Sequence, residues 1–299
     1  MHKTICAPLV ALVMTGCGGG GGGGSGGGNE PPPAQEPPVV TTPTAVRVTG
    51  TTPFSATCLA VPAGATAYAN AEVEPHLSIN PTNPNHLVAA WQQDRMSDGG
   101  ARGLATAVSV DGGVTWSRPQ PAPFTQCGGG SFARASDPWV AVSNSAILQI
   151  GIAFSGATLT AGARSTVLVS RSGDGGTTWS PAVQLVGDDG ARFFHDKETL
   201  TVDSTDARFV YAVWDRLDAS DTGVTLLARS TDGGVTWLPA VPIYDPGVAR
   251  QTIGNVAVTT PDGVVHVFFT ELGPAASNPA VTEGRLAVIR STDKGVTWS

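Results

Sequence analysis

The stretch STDGGVTW at Ser230–Trp237 recurs three more times, as SVDGGVTW at Ser109–Trp116, SGDGGTTW at Ser172–Trp179 and STDKGVTW at Ser291–Trp298. The aspartates Asp111, Asp174, Asp232 and Asp293 lie 63, 58 and 61 residues apart, a period that marks repeated supersecondary units, each a small sheet. Asp followed by Gly-Gly supplies the positive-φ positions of a tight turn between two strands. The carboxylate can accept backbone N–H groups inside the turn, and the neighbouring Ser and Thr hydroxyls add local bonds. The Trp ring folds beneath the turn against the sheet. These are scaffolding roles, so the four repeated carboxylates are not assigned to catalysis.

Outward from each turn the rest of the unit repeats as well. An aromatic strand end precedes each turn, at Trp91, Phe154, Trp214 and Phe269. Further upstream stand the alternating pairs Leu77/Ile79, Val140/Val142, Leu200/Val202 and Val256/Val258, the period-two pattern of strands with one buried face. Each unit reads as three strands, the turn, and a fourth strand. Four-stranded units arranged radially make an all-β fold, a β-propeller. The motif Ser-x-Asp-x-Gly-x-Thr-Trp resembles the Asp-box of the sialidase-like (BNR-repeat) propellers. The resemblance implies six blades, with the boxes at the rim and far from the active site. The repeats begin near residue 70, so the 299 residues hold about four units. The expectation is a propeller over 46–299 that continues in a longer gene product.

Composition agrees with this class. Gly (38) and Pro (23) punctuate short Val/Thr/Ala runs, and a hydrophobic share of 41% is enough for a packed core. A net charge of −7 argues against a nucleic-acid partner. No apolar run reaches the length of a membrane-spanning helix. Residues 1–16, MHKTICAPLVALVMTG, read as a signal peptide, and Met14-Thr15-Gly16 before Cys17 resembles a bacterial lipobox, with Met14 where Leu is usual. This implies lipidation of Cys17 and an extracytoplasmic, membrane-anchored protein. Residues 17–45 form the tether, a flexible glycine run followed by a proline-rich spacer. Cys58 and Cys127 then remain as an even pair in an oxidising compartment, suited to one disulfide. Without a CxxC arrangement or a Walker-type glycine pattern, neither a metal nor a cofactor is expected.

Ligand chemistry in a propeller is expected over the central axis, at the starts of the innermost strands. These read as Glu74-Pro75-His76, Asp137-Pro138-Trp139 and Asp196-Lys197-Glu198, with Gly254-Asn255 in the fourth unit. Carboxylates converging on one axis raise each other's pKa. Arg134, Arg192 and Arg250 precede three of those starts, and Arg95 and Arg216 end the strands that come after them; arginine forks suit a substrate carboxylate. Sialidases hold the sialate carboxylate with three arginines, the first in an Arg-Ile-Pro motif. Here Pro75 occupies the proline position but Val73-Glu74 stand in place of Arg-Ile, so the first arginine is missing. Asp98, in MSDGGARG, falls where the family keeps its acid/base aspartate, and Glu198 or Asp196 with Arg216 resembles its Glu…Arg pair. Tyr68, Tyr211 and Tyr244 lie in no context matching the nucleophile. Three readings stay open: an exo-glycosidase of sialidase type using Asp98, Glu198 and Arg216; a non-catalytic surface propeller binding a glycan, glycoconjugate or surface protein; and another Asp-box enzyme, such as a xyloglucan-cleaving endoglucanase, working through paired carboxylates.

Overall fold

The computed structural model describes residues 44–220, 222–273 and 283–299. Every strand among the described residues lies in one compact unit, Ala45–Ser299. The signal segment, Cys17 and the stretch up to residue 43 lie outside the described residues.

Three four-stranded antiparallel blades succeed one another in chain order. The first is β1 (Glu72–Asn80), β2 (Asn83–Arg95), β3 (Ala101–Ser109) and β4 (Gln120–Pro121). The second is β5 (Arg134–Val142), β6 (Ile147–Ser155), β7 (Arg164–Ser172) and β8 (Val183–Asp189). The third is β9 (Phe193–Val202), β10 (Val210–Asp218), β11 (Gly223–Ser230) and β12 (Val241–Tyr244). A fourth unit is described as β13 (Gln251–Thr259), β14 (Val265–Gly273) and β15 (Glu283–Ser291). Single-residue bridges, Ala101↔Ala135 and Gly223↔Gln251, link the first blade to the second and the third to the fourth. The protein is a β-propeller.

The core lies between blades. Val88 and Ala90 of the first blade meet Val140, Val142 and Ile147 of the second. Leu148, Ile150 and Val167 meet Leu200, Ala212 and Trp214 across the next seam, and Tyr211, Val213 and Leu227 meet Ala257, Val267 and Phe269 across the third. Of the alternating residues read from the sequence, Leu77, Ile79 and Val258 are exposed, at 48%, 52% and 40%. They sit on the outward faces of the first and fourth units, where no neighbouring blade is described to cover them. Arginines at one repeated position also join blades: Arg171 Nε donates to the Gly233 carbonyl at 3.1 Å and Arg229 Nη1 to the Lys294 carbonyl at 3.0 Å.

Each box closes on its serine. Ser172 Oγ donates to Asp174 Oδ1 at 2.7 Å and accepts the Gly176 amide at 2.9 Å. Asp174 also accepts the Thr178 amide and hydroxyl, at 2.9 and 2.6 Å, and the other three boxes repeat this set. The threonine hydroxyl bond, the largest contribution, holds Asp111, Asp174 and Asp232 at about 2. The fourth box puts Lys294 where the others have glycine, at φ 59°, a conformation costly for a side-chain-bearing residue. Its ammonium offsets that cost by donating to Asp203 Oδ2 at 2.9 Å and to Thr205 Oγ1 at 2.8 Å. Cys58 and Cys127 are bonded, with Cα atoms 5.1 Å apart, tying the segment before β1 to the loop after β4.

Ser172 is 1% exposed, so its loss strands the Gly176 amide and removes a bond from Asp174. Ser172→Ala is expected to destabilise the chain by about 1–3 kcal/mol in chemical denaturation, with an unchanged m-value. A cost near zero would refute the closing role of the serine.

Candidate functional site

The innermost strands β1, β5, β9 and β13 share one irregularity. Each slips register against its neighbour at the same place: between Val73 and His76, between Ser136 and Trp139, opposite Val213/Asp215, and between Ile253 and Val256. At the centre of each slip stands a residue at positive φ: Glu74 (53°), Asp137 (53°), Lys197 (51°) and Gly254 (70°). A bulge of this kind re-aims side chains, and three non-glycine residues held at positive φ store backbone strain where it serves a site. Lys197, not Asp196, is therefore the equivalent of Glu74 and Asp137. The sequence alignment of the third inner strand is corrected by one residue, and only two of the four bulge centres are acidic.

These four residues line a cavity of about 250 Å³ together with Pro75, His76, Pro138, Trp139, Glu198, Thr199 and Val256. His76 stacks on Trp139 with ring centroids 3.7 Å apart. Burial pushes His76 down to about 4, so it is neutral, and its Nδ1 accepts the Val140 amide at 3.2 Å. Gln92 Nε2 donates to both Glu74 Oε2 and Ser136 Oγ, and Ser136 Oγ donates to Asp137 Oδ1 at 3.0 Å. Lys197 Nζ lies 3.2 Å from Asp137 Oδ1.

Five carboxyl groups meet here, and their surroundings drive them apart. Burial works against the Asp137 charge, yet hydrogen bonds from the Glu74 and Asp196 carboxyls and the Lys197 ammonium outweigh it and hold the group at about 2. Burial first, and the Asp137 charge second, push Asp196 up to about 7. Burial and then the Asp137 carboxyl raise Glu74 and, much further, Glu198. Asp215, behind them on β10, is also raised well above the usual range, by burial and then the Asp196 charge. Glu198 is 2% exposed, and neither of its carboxyl oxygens has a hydrogen-bond partner; the amides of Glu198 and Ile152 influence it without meeting hydrogen-bond geometry.

The structure thus gathers Glu74, Asp137, Asp196 and Glu198, and places the arginines elsewhere. Arg134 forms a two-pronged pair with Asp98, both bonds 2.8 Å, and donates to the Gly99 carbonyl at 2.7 Å. Arg216 lies 3.6 Å from Asp188 and 4.4 Å from the centroid of Phe193, against which Arg192 also rests at 5.1 Å. Arg250 pairs with Glu271 (3.1 Å) and Glu283 (3.3 Å). Arg95 donates to Gln92 Oε1 at 2.6 Å and reaches the axis only through its charge on Glu74. None of these arginines lines the cavity. Sequence reasoning placed Lys197, His76 and Trp139 at these strand starts without a role, and missed Asp215 and Gln92 as parts of the site.

No family model matches the sequence, and no curated protein matches it. Among solved structures, a Dyadobacter fermentans protein of unknown function matches with a TM-score of 0.57 at 17% identity, over 76% of this chain and 67% of that one. A Penicillium chrysogenum α-L-arabinanase complexed with arabinobiose matches at 0.55 and 17%, over 74% of this chain and 63% of its own. The Hadza microbial sialidase Hz136 matches at 0.52 and 18%, over 77% of this chain and 46% of its own. At these identities the likeness shows a shared propeller fold.

Opposite pH limits arise from the two carboxyl populations. Box aspartates with lowered pKa stabilise the fold above about pH 4, and that contribution fades as pH falls toward about 2. Asp196, raised to about 7, stabilises the folded chain below its unfolded pKa near 3.8, and loses that contribution as pH rises through 7. The neutral His76 works the other way between pH 4 and 6.5, so the Asp196 effect is read as a difference: from pH 4 to 7, melting temperature should change more favourably in Asp196→Asn than in the unaltered chain. Parallel profiles for the two would contradict the assignment.

Proposed function

We propose that this chain binds and acts on glycans at the axial cavity, with a carboxyl pair and not an arginine triad as its working groups. The observation that supports this most is the presence in one cavity wall of an ionised Asp137 and a protonated, unpartnered Glu198. Paired carboxyls whose environments split their pKa values are the acid and base of glycoside hydrolysis. Glu198 would protonate the departing glycosidic oxygen, and Asp137 would stabilise the positive charge developing at the anomeric carbon or draw a proton from attacking water. Trp139, one ring face of which is covered by His76, lines the cavity and offers its remaining apolar surface to a sugar ring. Fold neighbours that include an arabinanase complexed with arabinobiose and a sialidase fit a carbohydrate role.

The sialidase form of the reading has less support. Glu74 stands at the axis where an arginine would receive the sialate carboxylate, and Asp98 is committed to Arg134. We further propose that Cys17 carries a lipid that holds the propeller at the outer surface of a membrane, a reading supported by the lipobox-like segment and the glycine tether next to it.

The test is release of sugar from a panel of fluorogenic glycosides and polysaccharides by the purified chain. Turnover is expected on a neutral glycoside and none on an α-sialoside, with Glu198→Gln and Asp137→Asn each lowering kcat by about 100-fold or more. Asp98→Asn should retain activity. Turnover of the sialoside that disappears in Asp98→Asn would overturn this reading in favour of the loop aspartate.

A further inference from the structure

Acidic side chains outnumber basic ones around the cavity. Glu74 and the neutral His76 face it from β1, Asp137 from β5, and Lys197 and Glu198 from β9, with Asp196 on β9 and Asp215 on β10 behind them and Arg95 acting from β2; β13 contributes only the uncharged Gly254 and Val256. Five carboxyls thus face two cations. Lys197 is bonded to Asp137, and Arg95 donates to Gln92. Glu198 keeps both carboxyl oxygens unpartnered at 2% exposure, and Asp215 keeps Oδ2 unpartnered at 0%. Buried acceptors left this way are costly unless a ligand supplies the donors.

We infer, building on the glycan reading above, that the cavity is selective for a saccharide presenting a protonated amine. Among the described residues no group of His, Cys, Asp and Glu side chains is arranged to hold a metal ion, so a convergent inorganic cation does not fit. An ammonium group does: its three donors diverge, and carboxyl oxygens on separate strands can each take one. The Trp139 ring adds an attractive face for a cation beside the sugar ring. An acidic sugar would instead bring a negative charge beside the ionised Asp137, whose bonded cation Lys197 is already engaged. The chain's net charge of −7 draws a cationic ligand at long range.

Proton balance gives the inference its signature. With no cation beside them, Asp196 and Glu198 keep their protons toward neutral pH, held by burial and by the Asp137 charge. When an ammonium arrives, one carboxyl O–H bond breaks, the carboxylate pairs with the ammonium, and the proton leaves to solvent. The ligand gains and loses no proton.

The experiment is calorimetric titration of the purified full chain at pH 6 with glucosamine oligomers, their N-acetylated counterparts and glucose oligomers of equal length. Each titration is run in two buffers of different ionisation enthalpy. The expected result is at least tenfold tighter binding of the free-amine oligomer, with buffer-dependent heat that reports proton release. The preference should fall below threefold in Glu198→Gln, whose folding is checked by its melting curve. The buffer comparison on the unaltered chain needs no variant. Equal affinity for amine and glucose oligomers, or no proton release, overturns the amine selectivity and leaves the glycan reading standing. Failure of all three oligomers to bind overturns both.

Discussion

A serine hydroxyl that donates to the box aspartate and accepts the amide four residues on recurs in each of the four described units, within a tenth of an ångström or so each time. It fixes the turn after the third strand of each unit, and so fixes where that strand ends. From the turn, the box tryptophans Trp179, Trp237 and Trp298 lie against three successive seams between blades. The arginine preceding the box serine reaches the carbonyl after the aspartate of the next box, at Arg171–Gly233 and again at Arg229–Lys294. The repeat therefore sets both the interior of each blade and its placement against its neighbour.

That rigidity permits strain at the other end of the innermost strands. A positive φ at Glu74, Asp137 and Lys197 persists only where the surrounding structure over-determines it. The seams on both sides of β5 and β9 supply that restraint. The gain is electrostatic: strands that would otherwise send these side chains into the seams aim them at a common axis. There, one ionised aspartate raises the pKa of its neighbours, and burial keeps those neighbours protonated. Scaffold carboxylates at the boxes are lowered and exposed, and Asp196, Glu198 and Asp215 around the axial Asp137 are raised and enclosed. The same residue types serve opposite purposes because their solvation differs.

The boxes, the blades and their order were legible in the sequence because turn chemistry is local: Asp-Gly-Gly and a nearby Trp announce a hairpin without knowledge of the rest of the chain. The axis was legible only in part. Pro75 and Pro138 mark the position after the bulge in the first two blades, but Glu198 and Asn255 take that place in the third and fourth. The run Asp196-Lys197-Glu198 has three charged residues and no local sign of which one sits at positive φ. Gly254 held the missing clue, since aligning it with Glu74 and Asp137 selects Lys197. The arginines misled for a different reason. Arg134 meets Asp98 from 36 residues away and Arg216 meets Asp188 from the preceding blade, and such pairings depend on tertiary geometry that spacing does not encode.

The central claim is that ligand binds at the axis, on the face opposite the boxes' scaffolding tryptophans. The chain has seven tryptophans, and only Trp139 lines the axial cavity. Indole N–H signals of the ¹⁵N-tryptophan-labelled protein, monitored during titration with a saccharide it binds, test this most directly. The account predicts a large, saturable shift at Trp139 while Trp116, Trp179, Trp237 and Trp298 stay in place. Shifts at the box tryptophans with Trp139 unmoved would contradict it.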